Sequence, residues 1–170
     1  SLLIYRSAKF TTKNVGQSSS KGTTPGATNT IVVTIRPQFA LTGAKQSTIT
    51  ISGLIGSLTP DATLALLDSD VLFNSTAKWN AKKGSLILSV APGQTVPSTS
   101  DTVVKFDLSN PTVPQSGAAL VQISADGDVP ISASAMVLGA GNSVPLKVLA
   151  ATFSQVSIGQ SSKAPFADNT

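Results

Sequence analysis

Two pairs of aspartates, Asp68-Ser69-Asp70 and Asp126-Gly127-Asp128, are the side chains in this sequence best suited to hold a cation. Carboxylates are hard oxygen ligands of the sort Ca²⁺ takes, but a calcium site collects about six to eight oxygens, and neither pair is accompanied in sequence by the remainder. Turn residues are the plainer reading of both. Serines are plentiful, yet the chain contains no His, no Cys and no Glu. Without an imidazole, a seryl hydroxyl lacks its usual activating base. No Gly-rich phosphate loop precedes a credible helix. Trp79, the single Trp, stands beside Asn80 and could stack on a sugar ring, although a core or rim position suits a lone aromatic better. Asn74-Ser75-Thr76 is an N-glycosylation sequon between Leu72-Phe73 and Lys78-Trp79, in what reads as a loop. Asn74 is therefore a candidate glycan site if a eukaryote exports the chain. The Ser/Thr/Pro-rich stretches from Pro92 to Asp101 and from Asn110 to Ser116 are candidates for O-linked sugars or plain solvated loops. These residues predict no enzyme, no cofactor and no metal.

The composition agrees. All eight carboxylate side chains are Asp, set against twelve Lys and Arg, and a net charge of +4 is spread thinly over 170 residues. Lys82-Lys83 is the one adjacent basic pair, with no aromatic stripe beside it of the kind a nucleic-acid platform needs. No nucleic acid partner is expected. Without Cys there are no disulfides or thiolate metal sites, so neither an oxidising nor a reducing compartment is marked. No apolar run approaches the length that spans a bilayer, and no signal peptide is present. The sequence opens at Ser1 and not at Met, which fits a processed, exported protein or a chain that starts after an unseen leader. A chain of this length can bury a sizeable single core.

The elements that carry these residues are short runs in which apolar residues alternate with polar ones. Ile31, Val33 and Ile35 share a face, as do Ile49 and Ile51, and Leu86, Leu88 and Val90. The same period groups Val104, Phe106 and Leu108, then Val121 and Ile123, then Ile131, Ala133, Ala135 and Val137. Each is expected to be a half-buried strand. Gly and Pro interrupt them at a spacing that favours antiparallel hairpins and a sandwich over parallel crossovers. One helix is expected, over Thr59 to Leu67, with Thr59 as cap, Pro60 at the first helical position and Asp61 in the first turn. The breaker-free run from Val144 to Gly159 predicts a long strand, or two strands joined at a kink near Ala150-Ala151.

The two ends of the chain share a sequence. Ala151 to Thr170 repeats Ala8 to Thr30: Ala8/Ala151, Phe10/Phe153, Gly16/Gly159, Gln17/Gln160, Ser18/Ser161 and Ser19/Ser162 align without a gap, and Asn29-Thr30 recurs as Asn169-Thr170. One structural slot thus has two claimants, which suggests a unit of an array, joined in tandem or by exchange of strands. Phe153, Val156 and Ile158 form the repeat-equivalent strand, expected to fill in one sandwich the place that the first strand fills in another. Ahead of the first copy lies Ser1 to Ser7. Leu2 and Ile4 would face one side of an extended strand there, and Leu3 and Tyr5 the other, so both faces need cover. Either this strand packs at home as an ordinary first strand, or it is donated to a groove in another subunit.

The segments ITISGLIGSLTPDATLAL, KWN, GSLILSVAPG, FDLSNPTVPQSG and GQSS with a later NT resemble the immunoglobulin-like repeats of large secreted proteins from algae and other environmental microbes. The likeness covers most of residues 8 to 170, and its motifs are turns and core strands. A unit with an apolar leading strand is also similar to subunits of pilus-like fibrils assembled by donor-strand exchange. It departs from chaperone-usher pilins in lacking a cysteine pair and their carboxyl-terminal signature. The resemblance implies an all-β, immunoglobulin-like antiparallel β-sandwich with an exchangeable N-terminal strand. It divides the chain into a donor strand at 1–7, the sandwich at 8–150, and a strand and tail at 151–170. The implied role is an extracellular structural subunit whose partner is itself, as a homopolymer that can carry covalent glycans. Leu2, Leu3, Ile4, Tyr5 and Phe10 would be the inter-subunit anchors. The alternative is a cell-surface adhesin or a carbohydrate-binding module.

Overall fold

The computed structural model describes residues 7–18, 22–67, 71–153, 155–159 and 165. The protein is nearly all β, as expected. Its strands are β1 (Phe10–Gln17), β2 (Thr28–Pro37), β3 (Leu41–Thr42), β4 (Thr48–Ser52), β5 (Ala62–Leu67), β6 (Thr76–Asn80), β7 (Ser85–Ser89), β8 (Thr95–Val96), β9 (Thr102–Ser109), β10 (Gln122–Asp126), β11 (Ile131–Ala135) and β12 (Val137–Leu138). Ten of them form one sheet in the order β11-β10-β4-β7-β6-β5-β9-β2-β1-β12, and β3 pairs with β8 apart from it. Every pairing is antiparallel except that of β1 with β12. None of the described helices is long and apolar enough to cross a membrane.

The alternation read from the sequence is what builds the core. Ile31, Val33 and Ile35 of β2 stand against Val104 and Phe106 of β9 and are all excluded from solvent, while Ile49 and Ile51 of β4 oppose Leu88 and Leu86 of β7. Side chains of both halves of the sheet, on either side of β5, join in one cluster, with Trp79 and Phe106 its largest fully buried members. A period of two puts every second residue on this face, so a one-residue slip in any of these strands would turn its whole apolar set to water.

The helix expected over Thr59 to Leu67 is replaced by β5. Ala62 to Ala65 pair with β6, and Leu66 and Leu67 then pair with β9, so this strand carries the sheet from one half to the other. Thr59 caps nothing: its hydroxyl accepts the Ser109 N–H at 2.7 Å, and its carbonyl accepts Trp79 Nε1–H at 3.0 Å. Pairing on both edges overrode a local helix signal that amounted to one turn.

Two further expectations are corrected. Ile131 is buried, but Ala133, Ala135 and Val137 face out, and Met136 points to the core instead. A register shift between β10 and β11 breaks the alternation, because an extra residue in one strand of a pair exchanges the faces beyond it. The run from Val144 to Gly159 forms no long strand among its described residues. Leu146 adopts φ 58°, held there while its carbonyl accepts Gln115 Nε2–H at 2.7 Å, and only Val148 bridges, to Gln115.

Candidate functional site

Two strands at opposite ends of the sheet are one piece of chain. β11 bonds to β10, then Met136 donates its N–H to the Val121 carbonyl at 2.8 Å, and β12 crosses to lie beside β1 through Asn14↔Val137 and Val15↔Leu138. The crossing closes the seam along the second half of β1 only. Along the first half, Phe10 to Lys13 pair with β2 on one side, and β11 has moved away on the other. A cleft of about 680 Å³ remains, lined by Ser7 to Thr11, Lys13 and Ser132 to Ser134. Lys13 Nζ donates to Ser134 Oγ across it at 2.9 Å. Phe10 and Ile131, each 3% exposed, turn into the core on its two sides. Among the described residues, the outer edges of Phe10 to Lys13 and of β11 have no ladder partner.

Beyond the closed half of β1 sits a polar cluster that sequence reading missed. Gln17, Asn29 and Asn110 are all buried. Asn29 Nδ2 donates to Gln17 Oε1 at 2.7 Å and to Asn110 Oδ1 at 2.8 Å; Asn110 Nδ2 donates to the carbonyls of Gly22 and Thr24. Gln17 Nε2 donates to the carbonyls of Asn142 and Lys147 at 3.0 and 3.1 Å. These bonds anchor the end of β1 to β2, to the segment after β9 and to the loops after β12. A buried amide left without such partners is costly, so the cluster specifies one register for β1. The recurrence of Gln and Asn in both copies of the repeat was the signal that could have revealed it.

The residues singled out for chemistry are scattered. Phe10, expected as an inter-subunit anchor, is seated in the core of its own chain. Leu2, Leu3, Ile4 and Tyr5 lie outside the described residues, as do Asp68-Ser69-Asp70. Phe153, Val156 and Ile158 are 87%, 82% and 102% exposed, with no strand around them among the described residues. Trp79, at 2% exposed, is a core residue and offers no face to a sugar. Asn74 is exposed two residues before β6, and its backbone N–H donates to the Ser89 carbonyl at 3.0 Å.

Asp126-Gly127-Asp128 is a brace between loops. The Asp128 carboxylate accepts Ser47 Oγ–H at 2.5 Å, and Thr42 Oγ–H and N–H at 2.9 and 3.2 Å. Gly127 has φ 116°, and a Cβ there would meet the Ser47 Cα at 2.6 Å, so glycine is required both by the dihedral and by the close approach. Desolvation pushes the Asp128 carboxyl up, but the hydrogen bonds from Ser47 and Thr42 together outweigh it and hold the group below its ordinary value. The described residues bring together no cluster of three or more His, Cys, Asp or Glu. No protein-family model matches the chain, and no curated protein matches it in sequence.

Proposed function

We propose that this chain is a structural subunit of an extracellular, pilus-like helical fibril: an immunoglobulin-like β-sandwich that polymerises by donating its N-terminal strand to a neighbour. The observation that carries this reading is the cleft between the first half of β1 and β11, where two strand edges face each other without a ladder partner among the described residues. The four residues Phe10 to Lys13 present an edge about 13 Å long, and Leu2 to Tyr5 in extended form have the same length. A donated strand would gain main-chain hydrogen bonds from such an edge and specificity from its alternate side chains. Leu2, Leu3, Ile4 and Tyr5 supply the apolar anchors, and Phe10 stays at home to form one wall. The lack of His, Cys and Glu supports a role without catalysis, and the exposed Asn74 suits a glycan on the outside of a fibre. No observation favours the adhesin or carbohydrate-binding alternative, since Trp79 is buried.

The test is removal of Ser1 to Ser7. The truncated chain should keep its β circular dichroism and fail to polymerise in sedimentation and negative-stain microscopy. Ile4→Pro should act in the same direction, because it removes a main-chain N–H that a donated strand needs for its ladder. Normal filaments from the truncated chain would rule out donation by this segment.

A further inference from the structure

The inward face of β1 is written twice in this chain. Phe10, Val15 and Gln17 are the residues of β1 that turn into the protein, at 3%, 2% and 5% exposed. In the aligned second copy these positions hold Phe153, Ile158 and Gln160: two identities, and one change that adds a single methylene. Gln160 lies outside the described residues and enters here by its sequence alone. Among the outward or half-exposed positions, Thr11 to Asn14 all differ, replaced by Ser154, Gln155, Val156 and Ser157. Gly16 is kept as Gly159, and a Cβ on Gly16 would crowd the Ser143 carbonyl at 3.3 Å. Turn-rich resemblance alone has no reason to follow burial in this way, and least of all to keep a Gln whose partners are the buried Asn29 and two loop carbonyls.

We propose that the segment beginning at Ala151 is a second β1, taken up by another copy of this chain in place of that copy's own β1, with Phe153 where Phe10 lies. Its own chain cannot accept it. Leu149 is pinned at the Gln17 end of the slot, its N–H on the Thr23 carbonyl at 3.0 Å, while the Lys147 carbonyl accepts Gln17 Nε2–H. From Gln17 back to Phe10 the strand spans about 23 Å. The four residues from Leu149 to Phe153 extend to about 14 Å at most, so Phe153 reaches the Phe10 position only in a different molecule. Exchange replaces like with like on the inward face. It also covers two exposed apolar side chains, Phe153 and Ile158, as it releases Phe10 and Val15, and Val156 takes the half-exposed place of Lys13. Swapping of an element between identical subunits is a low-cost route to association of this kind. It does not require donation by residues 1–7.

The register makes a sharp test. Asn14 pairs with Thr34, both away from the core, so Ser157 should stand opposite Thr34 of the receiving copy. The chain has no cysteine, so introduced thiols are the only ones present. Full-length chains carrying Ser157→Cys are mixed at high concentration with full-length chains carrying Thr34→Cys, oxidised, and run on a non-reducing gel, with circular dichroism to verify the fold of each. The expected result is a reducible heterodimer that is lost when Thr30→Cys replaces Thr34→Cys, and lost when Phe153→Asp is added to the donor. A chain carrying both Ser157→Cys and Thr34→Cys should give oligomers and not a compact monomer. Repeating the mixture with chains lacking residues 1–7 should preserve the heterodimer even where filaments are gone, which separates this proposal from N-terminal donation. Absence of the heterodimer, equal yield at Thr30, or closure within one chain would overturn it.

Discussion

β1 and the segment that begins at Ala151 present almost the same side chains to opposite surroundings. Phe10 is 3% exposed between β2 and the crossing from β11 to β12, whereas Phe153 is 87% exposed with no strand beside it among the described residues. The inward-facing residues are nearly constant across the comparison, so the difference lies in what is offered to each segment: β2 supplies β1 with a ladder over Phe10 to Gln17, and the Asn29–Asn110 amide chain receives Gln17 at its end. Burial here is a property of the slot and not of the strand. Under the proposed exchange, the segment from Ala151 is a spare for that slot and a means of joining molecules.

The comparison is broken most forcefully at its two phenylalanines. Phe10→Ala should destabilise the isolated chain by about 3–4 kcal/mol, since it empties a filled core position. Phe153→Ala should shift the same denaturation curve by no more than about 0.5 kcal/mol, as exposed substitutions do. Urea unfolding of both variants at a concentration where the chain is monomeric checks this, and equal effects would show that the two sites are alike in the single chain. The amide at the end of β1 gives a smaller change. Gln17→Ala removes the donor to the Asn142 and Lys147 carbonyls and one acceptor of Asn29, and should cost about 2 kcal/mol in the same assay.

The smallest effect is expected far from both strands, at Asp128. Its folded-state pKa lies below the ordinary value, so it stabilises the protein at pH above the unfolded carboxylate value, and that contribution fades as the pH falls through the lowered folded value. Asp128→Asn should therefore lower stability slightly near neutrality, converge with the wild type in strong acid, and so flatten the acid limb of the stability profile. The group is exposed, which limits the size of the effect. Melting curves of wild type and variant between neutral and strongly acid pH measure it, and an unchanged acid limb would show that the loop brace contributes nothing.

Which parts of this molecule were legible beforehand follows from how local their causes are. Strands with buried partners on one face, such as Ile31 to Ile35 and Val104 to Leu108, announce themselves by alternation, because the pleat imposes a period of two on any half-buried strand. Thr59 to Leu67 misled because cap, proline and acid are local signals, while the pairing of β5 with both β6 and β9 is set by distant chain. The alternation through Ile131 to Val137 failed at a register shift, which leaves no mark in the residue types. Val144 to Gly159 has strand-forming residues throughout, but the turn at Leu146 and the lack of a ladder beyond Val148 among the described residues decide its course. The cleft was hidden for a related reason. It exists because β11 and β12 pair with opposite ends of the sheet, and nothing local records where a strand changes partner. The amide cluster joins residues 17, 29 and 110, so its members become neighbours only through the fold.

Electron microscopy of the native material tests the central claim most directly. Strand donation between copies of a 17.2 kDa chain predicts filaments of uniform width that persist on dilution, with a repeating subunit and continuous β density crossing each junction. Discrete particles of monomer size at every concentration would contradict it.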